Sequence, residues 1–426
     1  MTQMAGAFTD ITVLEIGRFV SVPFCGQLLA DGGARVIKVE PIHGDPYRST
    51  HPVAPGESRQ FLIKNRGKES LPLDFAKQEG REILAELIAS ADVVLANLSP
   101  RAAERHGLDY QSVRAIREDV IYGSVTGFGR HGPDAGLAGM DVVAQAQSGL
   151  LTALAAERDQ VPLHSEVQAA DYASSLLLFG GIASALYSRE RTGQGQEVAV
   201  SLLGAALTLQ NNSLFHLEEH DEWRTTFVHE TLPELRRSNA SVAEIEAARS
   251  ANRPDVSTHR AHYKVFAALD GHLAVGAGSP ATRRALLEIV AEGETGELTD
   301  YPLDAIFARR TIDDWVETLQ AAGVPVGRVR HIEEMPFDPH VLEEGLVVQN
   351  EHPTLGQVRV LGVPIQLSAT PFAADRPSPA FGGHVRQILT EIDFTTEAVD
   401  ALIADGVVAV EIDPNHSKET TNDLHT

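Results

Sequence analysis

From Ile11 to Ile16 the chain is apolar and rich in β-branched residues, Pro23 to Ala30 has helical spacing, Gly32-Gly33 stops it, and Arg35 to Glu40 is again extended. A strand, a helix and a second strand in that order predict a βαβ unit. The alternation continues with a helix from Gln78 to Ala91 before a strand from Asp92 to Ala96, and a helix from Tyr110 to Glu118 before a strand from Val120 to Val125. Repeated strand–helix alternation predicts an α/β fold whose large domain is a parallel sheet, Rossmann-like, covered on both faces. Such sheets bind ligands in the loops leaving the carboxyl ends of their strands. Here those loops carry Arg18, Asn97-Leu98-Ser99-Pro100 and Thr126-Gly127-Phe128-Gly129. The last of these lacks the full dinucleotide fingerprint and reads as a glycine turn, so no nicotinamide or flavin is expected.

A long helix rich in Ala, Ser and Leu is predicted from Asp171 to Arg189, then a turn at Thr192-Gly193-Gln194-Gly195-Gln196 and a strand from Glu197 to Leu202. From His216 to Pro254 charged and polar residues dominate with little apolar periodicity, which reads as a linker or surface excursion. Tyr263 to Ala268, Asp270-Gly271 and His272 to Val275 give a strong hairpin signal. Helices from Ala281 to Ala291 and Ile312 to Ala322 follow, then strands from Val358 to Leu361 and Val363 to Leu367, helices from Gly382 to Leu389 and Thr396 to Asp405, and a frayed polar end from Asp413.

Length and charge narrow the function. At 426 residues the chain exceeds one ordinary hydrophobic core. Its net charge of −24 excludes a surface built for nucleic acid, so an anionic ligand must be held by a few local groups. Cys25 is the only cysteine, which rules out an intrachain disulfide and fits a reducing, cytoplasmic location. No His, Asp or Glu spacing forms a metal-ligand group, and no apolar run approaches the ~20 residues that cross a bilayer, so neither a metal nor a membrane is expected.

Asp171 opens the long helix at an N-cap or first-turn position, where a lone Asp is most often a cap. The order of motifs around it gives it more weight. Val13-Leu14-Glu15 is followed by Gly33-Ala34-Arg35-Val36-Ile37-Lys38-Val39-Glu40, Asn65-Arg66-Gly67-Lys68 with Leu73-Asp74, and Asn97 with Pro100. Gly127-Phe128-Gly129, Asp141 to Gln145, Asp171, the glycine turn at 192–196 and a terminal Gly382-Gly383-His384 to Leu389 complete the series. In this order the chain resembles the class III CoA-transferases, the family of formyl-CoA transferase and carnitine CoA-transferase, of which the 2-methylacyl-CoA racemases are a branch.

The resemblance implies an interlinked homodimer, each chain with a large α/β domain made of residues 1–215 and a return segment, 336–426, and with a linker and a smaller α+β domain, 216–335, between them. It also implies transfer of coenzyme A from an acyl-CoA donor to a small carboxylic acid, with the thioester as substrate and no permanently bound cofactor. Asp171 would be the nucleophile, forming a mixed anhydride and then an aspartyl-CoA thioester. The positions that match the family's CoA site are Val20, Ser21, Leu73, Asp74, Phe75, Asn97, Leu98, Ser99, Arg105, Met140 and Asp141. An ordinary Asp has a pKa of about 3.9 and would be ionised unaided, leaving oxyanion stabilisation, by a backbone amide beside the helix start, as the harder task. Formyl-CoA transferase has Gln at the position of Val20 and Tyr at that of Met140, so formate and oxalate are doubtful substrates. Racemases place a histidine at the position of Met140, and a thioether cannot shuttle a proton, which disfavours racemisation. A non-catalytic CoA-binding homologue is the remaining alternative. The cluster His259, Arg260 and His262 reads either as a polar loop or, with Arg18, as a holder for an acid's second carboxylate.

Overall fold

Six strands form one parallel sheet: β1 (Thr12–Ile16), β2 (Arg35–Glu40), β3 (Glu69–Pro72), β4 (Val93–Ala96), β5 (Ile121–Thr126) and β6 (Glu197–Ser201), in the spatial order β6-β5-β4-β1-β2-β3. Every neighbouring pair runs parallel. The order reverses between β1 and β4, which opens a crevice at their carboxyl ends, the usual ligand position in a doubly wound sheet. The structure is a computed structural model that describes residues 6–153, 157–158, 161–164, 166–253, 261–291 and 296–411. His259, Arg260 and the polar end from Asp413 lie outside the described residues.

Both faces of the sheet are buried, as its near-continuous apolar strands require. On one face α3 (Gln78–Ser90) and α5 (Tyr110–Ile116) pack with the carboxyl-terminal helices Val385–Glu391 and Thr396–Ala404, through Ile83, Leu87, Val113, Ile388 and Val399. On the other, α1 (Ser21–Asp31), α7 (Ala169–Thr192) and α8 (Leu202–Thr208) supply Val22, Leu29, Leu178, Ile182 and Ala206. Two compact units result: 1–215 with 339–426, and 216–338.

The second unit holds the predicted hairpin, Tyr263–Ala268 with Gly271–Gly276, joined on its second strand by Val326–Arg328. Its core stacks Phe266 on Phe307, with ring centroids 4.2 Å apart, and sets Trp315 against Phe307.

Three expectations are corrected. Residues 216–253, read as a linker or surface excursion, carry helices at Glu222–Thr226, Leu232–Arg237 and Val242–Asn252. The last of these starts at a capping box, Ser241 with Glu244, a local signal independent of apolar periodicity. Val363 to Leu367 is not a strand: Gly356–Leu361 pairs instead with Val347–His352. Finally, α7 is long and apolar enough by length and composition to cross a membrane. One side of it packs in the core, with Ala170, Ser174, Ser175, Leu178, Ile182 and Ala185 buried.

Beneath the carboxyl ends of β1 and β2 lies a buried network of charges. Glu15 and Lys38 sit opposite each other in register, with Lys38 Nζ 3.1 Å from Glu15, 3.0 Å from Asp45 and 2.8 Å from the Gly17 carbonyl. Lys68 donates to Glu15, to Asn65 and to the Pro23 carbonyl, and Arg48 forms a fork with Glu40 at 2.7 and 2.8 Å. Gly26 of α1 is required here, because a Cβ at that position would collide with the Glu15 carboxylate.

Candidate active site

Asp171 is the third residue of α7, after Gln168 at the N-cap and Ala169 at the first helical position, so it occupies the first turn and not the cap. The capping role falls to Asp141, the first residue of α6 (Asp141–Gln147). One Asp141 carboxylate oxygen accepts the N–H groups of Ala170 at 2.9 Å and Asp171 at 3.1 Å, and the other accepts Gln145 Nε2 at 2.5 Å. An anion at a helix N-terminus is favoured by the unpaired amides and by the helix dipole. The loop that delivers Asp141 is set by a backbone crossing at which a Cβ on Gly139 would collide with the Gly127 Cα.

Among the described residues, the backbone of Asp171 is fully engaged: its N–H donates to Asp141 and its carbonyl accepts the hydroxyls of Ser174 and Ser175. Its carboxylate makes no hydrogen bond among the described residues, and the residue is half-buried. Burial, then the neighbouring charge of Asp141, push its pKa up to about 7, against the opposing charge of Lys64. This corrects the expectation that Asp171 ionises without help: its burial first, and the carboxylate 30 positions away second, arise only in the folded chain. An oxyanion donor was expected from a backbone amide beside the helix start; there, the amides of Ala170 and Asp171 are already taken by Asp141.

Around Asp171 stand residues that the sequence did not single out. Lys64, in the last turn of α2 (Arg59–Asn65), is fully buried, donates to Gln60 at 2.8 Å, and lies 5.1 and 5.9 Å from the ring centroids of Tyr47 and Tyr172. Gln168 Nε2 donates to the Tyr47 hydroxyl at 2.8 Å, tying the loop after β2 to the head of α7. Tyr172 meets Phe24 of α1 edge-on at 5.0 Å. A buried lysine and a tyrosine carry no local sequence signal; only the fold brings them to the nucleophile.

The positions matched to a CoA site gather along the same edge of the sheet. At the crevice, Asn97 accepts the Arg18 N–H at 3.0 Å and donates to the Arg18 carbonyl at 2.7 Å and to Ser21 Oγ at 3.3 Å, stapling the loop after β1 to the loop after β4. The Ser21 carbonyl accepts Ser175 Oγ at 2.7 Å, which docks α7 on the same point. Ser99 caps α4 (Pro100–His106), accepting the Ala102 N–H. Leu98 packs partly buried on the core, and Arg105 is exposed in the last turn of α4. At the next strand end, the Asp74 N–H donates to the Val407 carbonyl, and Phe75 meets His106 edge-on at 5.2 Å.

Val20 and Leu73 are 0% and 1% exposed, their side chains filling the core. Met140 is exposed beside Asp141. His262, in the second unit, is buried.

Residues 8–385 match the family described as CoA-transferase family III. Among curated proteins, the chain is 31% identical to a succinate–glutarate CoA-transferase of Agrobacterium fabrum over 90% of this chain and 95% of the other. It is also 31% identical to a succinyl-CoA–D-citramalate CoA-transferase of Chloroflexus aurantiacus, over 91% and 94%. Among solved structures, a CAIB/BAIF family protein from Brucella suis superposes with a TM-score of 0.72 at 29% identity, over 92% of this chain and all of the other. The match spans the parallel sheet, the crevice and the head of α7 together, and the chain belongs to CoA-transferase family III.

Proposed function

We propose that the chain moves CoA from an acyl-CoA donor to a carboxylic acid through covalent intermediates on Asp171. The observation that carries this reading is the half-buried Asp171 carboxylate at the head of α7, without a hydrogen bond among the described residues, on the edge of the sheet where the crevice opens. A carboxylate needed only for structure is usually capping or paired; among the described residues this one is neither, and Asp141 does the capping.

In the proposed cycle Asp171 attacks the thioester carbonyl, forming a mixed anhydride and expelling CoA thiolate. The thiolate attacks the aspartyl carbonyl, leaving an aspartyl-CoA thioester and the free donor acid. The acceptor carboxylate attacks that thioester, expels the thiolate and forms a second anhydride. The thiolate then attacks the acceptor's acyl carbonyl and restores the Asp171 carboxylate. No redox step or permanently bound cofactor enters. Exposed Arg18 and Arg105 suit the CoA phosphates or an acid's second carboxylate, and the diacids named for the two relatives support acceptors with two carboxylates. The exposed apolar side chains Val142 and Val143 on α6 and Leu176, Leu177 and Tyr187 on α7 support burial in a homodimer. Buried Cys25, with no disulfide partner, suits a reducing cytoplasm.

Succinyl-CoA incubated in D2O with a panel of mono- and dicarboxylic acids is expected to yield the acceptor's CoA thioester with no deuterium at the α-carbon. Deuterium at the α-carbon without exchange of acids would establish proton-transfer chemistry and overturn the proposal. Asp141→Asn provides a second test. The amide keeps an acceptor for the two helix amides, so folding stability is expected to stay within about 1 kcal/mol. Removing the like charge lowers the Asp171 pKa from about 7, so the acidic limb of kcat/KM should move to lower pH.

A further inference from the structure

We propose that Lys64 is the positioning residue that holds Asp171 in its nucleophilic, charged form, its buried ammonium supplying the positive charge that offsets the Asp171–Asp141 carboxylate pair. The proposal rests on the reading of Asp171 as nucleophile and goes beyond it by assigning a group that never touches substrate.

Lys64 differs from the two other lysines buried nearby. Lys38 and Lys68 each sit within hydrogen-bonding distance of a carboxylate. Lys64 has no carboxylate within 4 Å among the described residues, and its three N–H donors find only Gln60 Oε1. A fully buried ammonium without an ion pair is costly to a fold, and side chains of that kind are kept where their charge serves a site. Its surroundings hold it still: the rings of Tyr47 and Tyr172 lie beside it, and Gln168 fixes the Tyr47 hydroxyl.

The groups that face Lys64 come from each neighbouring segment. Asp171 and Tyr172 come from α7, Asp45 and Tyr47 from the loop after β2, and Gln60 from α2 itself, while Asp141 of α6 acts through Asp171. Asp45 is committed to Lys38 at 3.0 Å, which leaves Asp171 as the carboxylate open to Lys64. Burial lowers the Lys64 pKa to about 8, against the charges of Asp171 and Asp45, so it is protonated where Asp171 becomes ionised. Activity then needs one proton off Asp171 and one kept on Lys64, which predicts a narrow bell whose two limbs belong to the coupled pair.

The test is kcat/KM against pH for the wild type, Lys64→Arg and Lys64→Met. The wild type is expected to rise through about 7 and to fall above about 8. Arginine stays charged throughout, so the falling limb should vanish in Lys64→Arg while the rising limb remains. In Lys64→Met the rising limb should move alkaline by about one unit or more. A purely structural lysine would lower the rate and leave both limbs in place. A falling limb that persists in Lys64→Arg overturns the proposal, even if Lys64→Met fails to fold. Hydroxylamine trapping in the wild type separates the two readings: an adduct on Asp171 with unmoved limbs refutes the role of Lys64 alone, and no adduct refutes the nucleophile and the role of Lys64 together.

Discussion

Asp171→Ala is expected to lower CoA transfer by at least about a thousandfold while leaving acyl-CoA binding within a few-fold of wild type. The argument has two parts. Covalent catalysis divides one difficult exchange into attacks by a held carboxylate and a held thiolate, and no other carboxylate can take over, because Asp141 is fixed on the helix amides by two hydrogen bonds. The loss also cannot come from unfolding. The Asp171 carboxylate makes no hydrogen bond among the described residues, and its burial and the like charge of Asp141 outweigh the attraction of Lys64, so removing it costs no net stability. The melting temperature of the variant should be no lower than that of wild type near neutral pH. The sign follows from linkage: the folded pKa is raised from 3.8 to about 7, so the folded state binds more protons in that interval. Asp171 therefore makes stability fall as pH rises between those values, and the Ala variant should lack this component. A variant that keeps more than about a tenth of wild-type turnover would exclude a covalent role for this residue.

Glu15→Ala is expected to destabilise the large unit by about 3–5 kcal/mol, a large share of the ~5–15 kcal/mol that holds a typical domain folded. Glu15 is fully buried and serves two ammonium groups at once, Lys38 at 3.1 Å and Lys68 at 2.8 Å. Truncation leaves Lys68 with only neutral partners, Asn65 and the Pro23 carbonyl, in a site water does not reach. Lys38 keeps Asp45, so the damage centres on Lys68. Chemical denaturation with matched m-values measures the loss, and a change under about 1 kcal/mol would show that the network contributes little.

The same network sets an acid limit. Burial works against ionising Glu40, but Arg48, Lys38 and Ser70 outweigh it and hold its pKa down at about 2, below its ordinary 4.5. Glu40 therefore contributes stability that is complete above about 4.5 and lost as the pH falls toward about 2.

What could be read from the chain alone follows from how local each signal is. The strand–helix alternation announced β1, α1 and β2 because a buried parallel strand is a continuous apolar run, and Gly33 with its φ of 99° marks the turn between them. β3, with Glu69 and Ser70 in a four-residue strand, has no such run and was not legible. The helices between 216 and 254 were hidden because their faces are mostly exposed, which leaves only cap residues such as Ser241 as a guide.

At the site, resemblance pointed to Asp171, but the reason it stands where it does is tertiary. Asp141 caps its helix from another element, and Lys64 approaches from a third. The segments Glu15, Lys38 to Glu40 and Asn65 to Lys68 were legible as motifs; that they form a buried ionic platform under the loops was not, since charges on separate strands show their pairing only once the register is known. Val20 and Leu73 show the converse, positions carried over from the family whose side chains turn inward.

The central claim is that the Asp171 carboxylate becomes acylated during turnover. Protein incubated with succinyl-CoA, quenched with hydroxylamine, digested and analysed by mass spectrometry is predicted to carry one hydroxamate, on Asp171, formed only when the thioester is present. An unmodified Asp171 under conditions of active CoA transfer, or a hydroxamate on another carboxyl group, would contradict it.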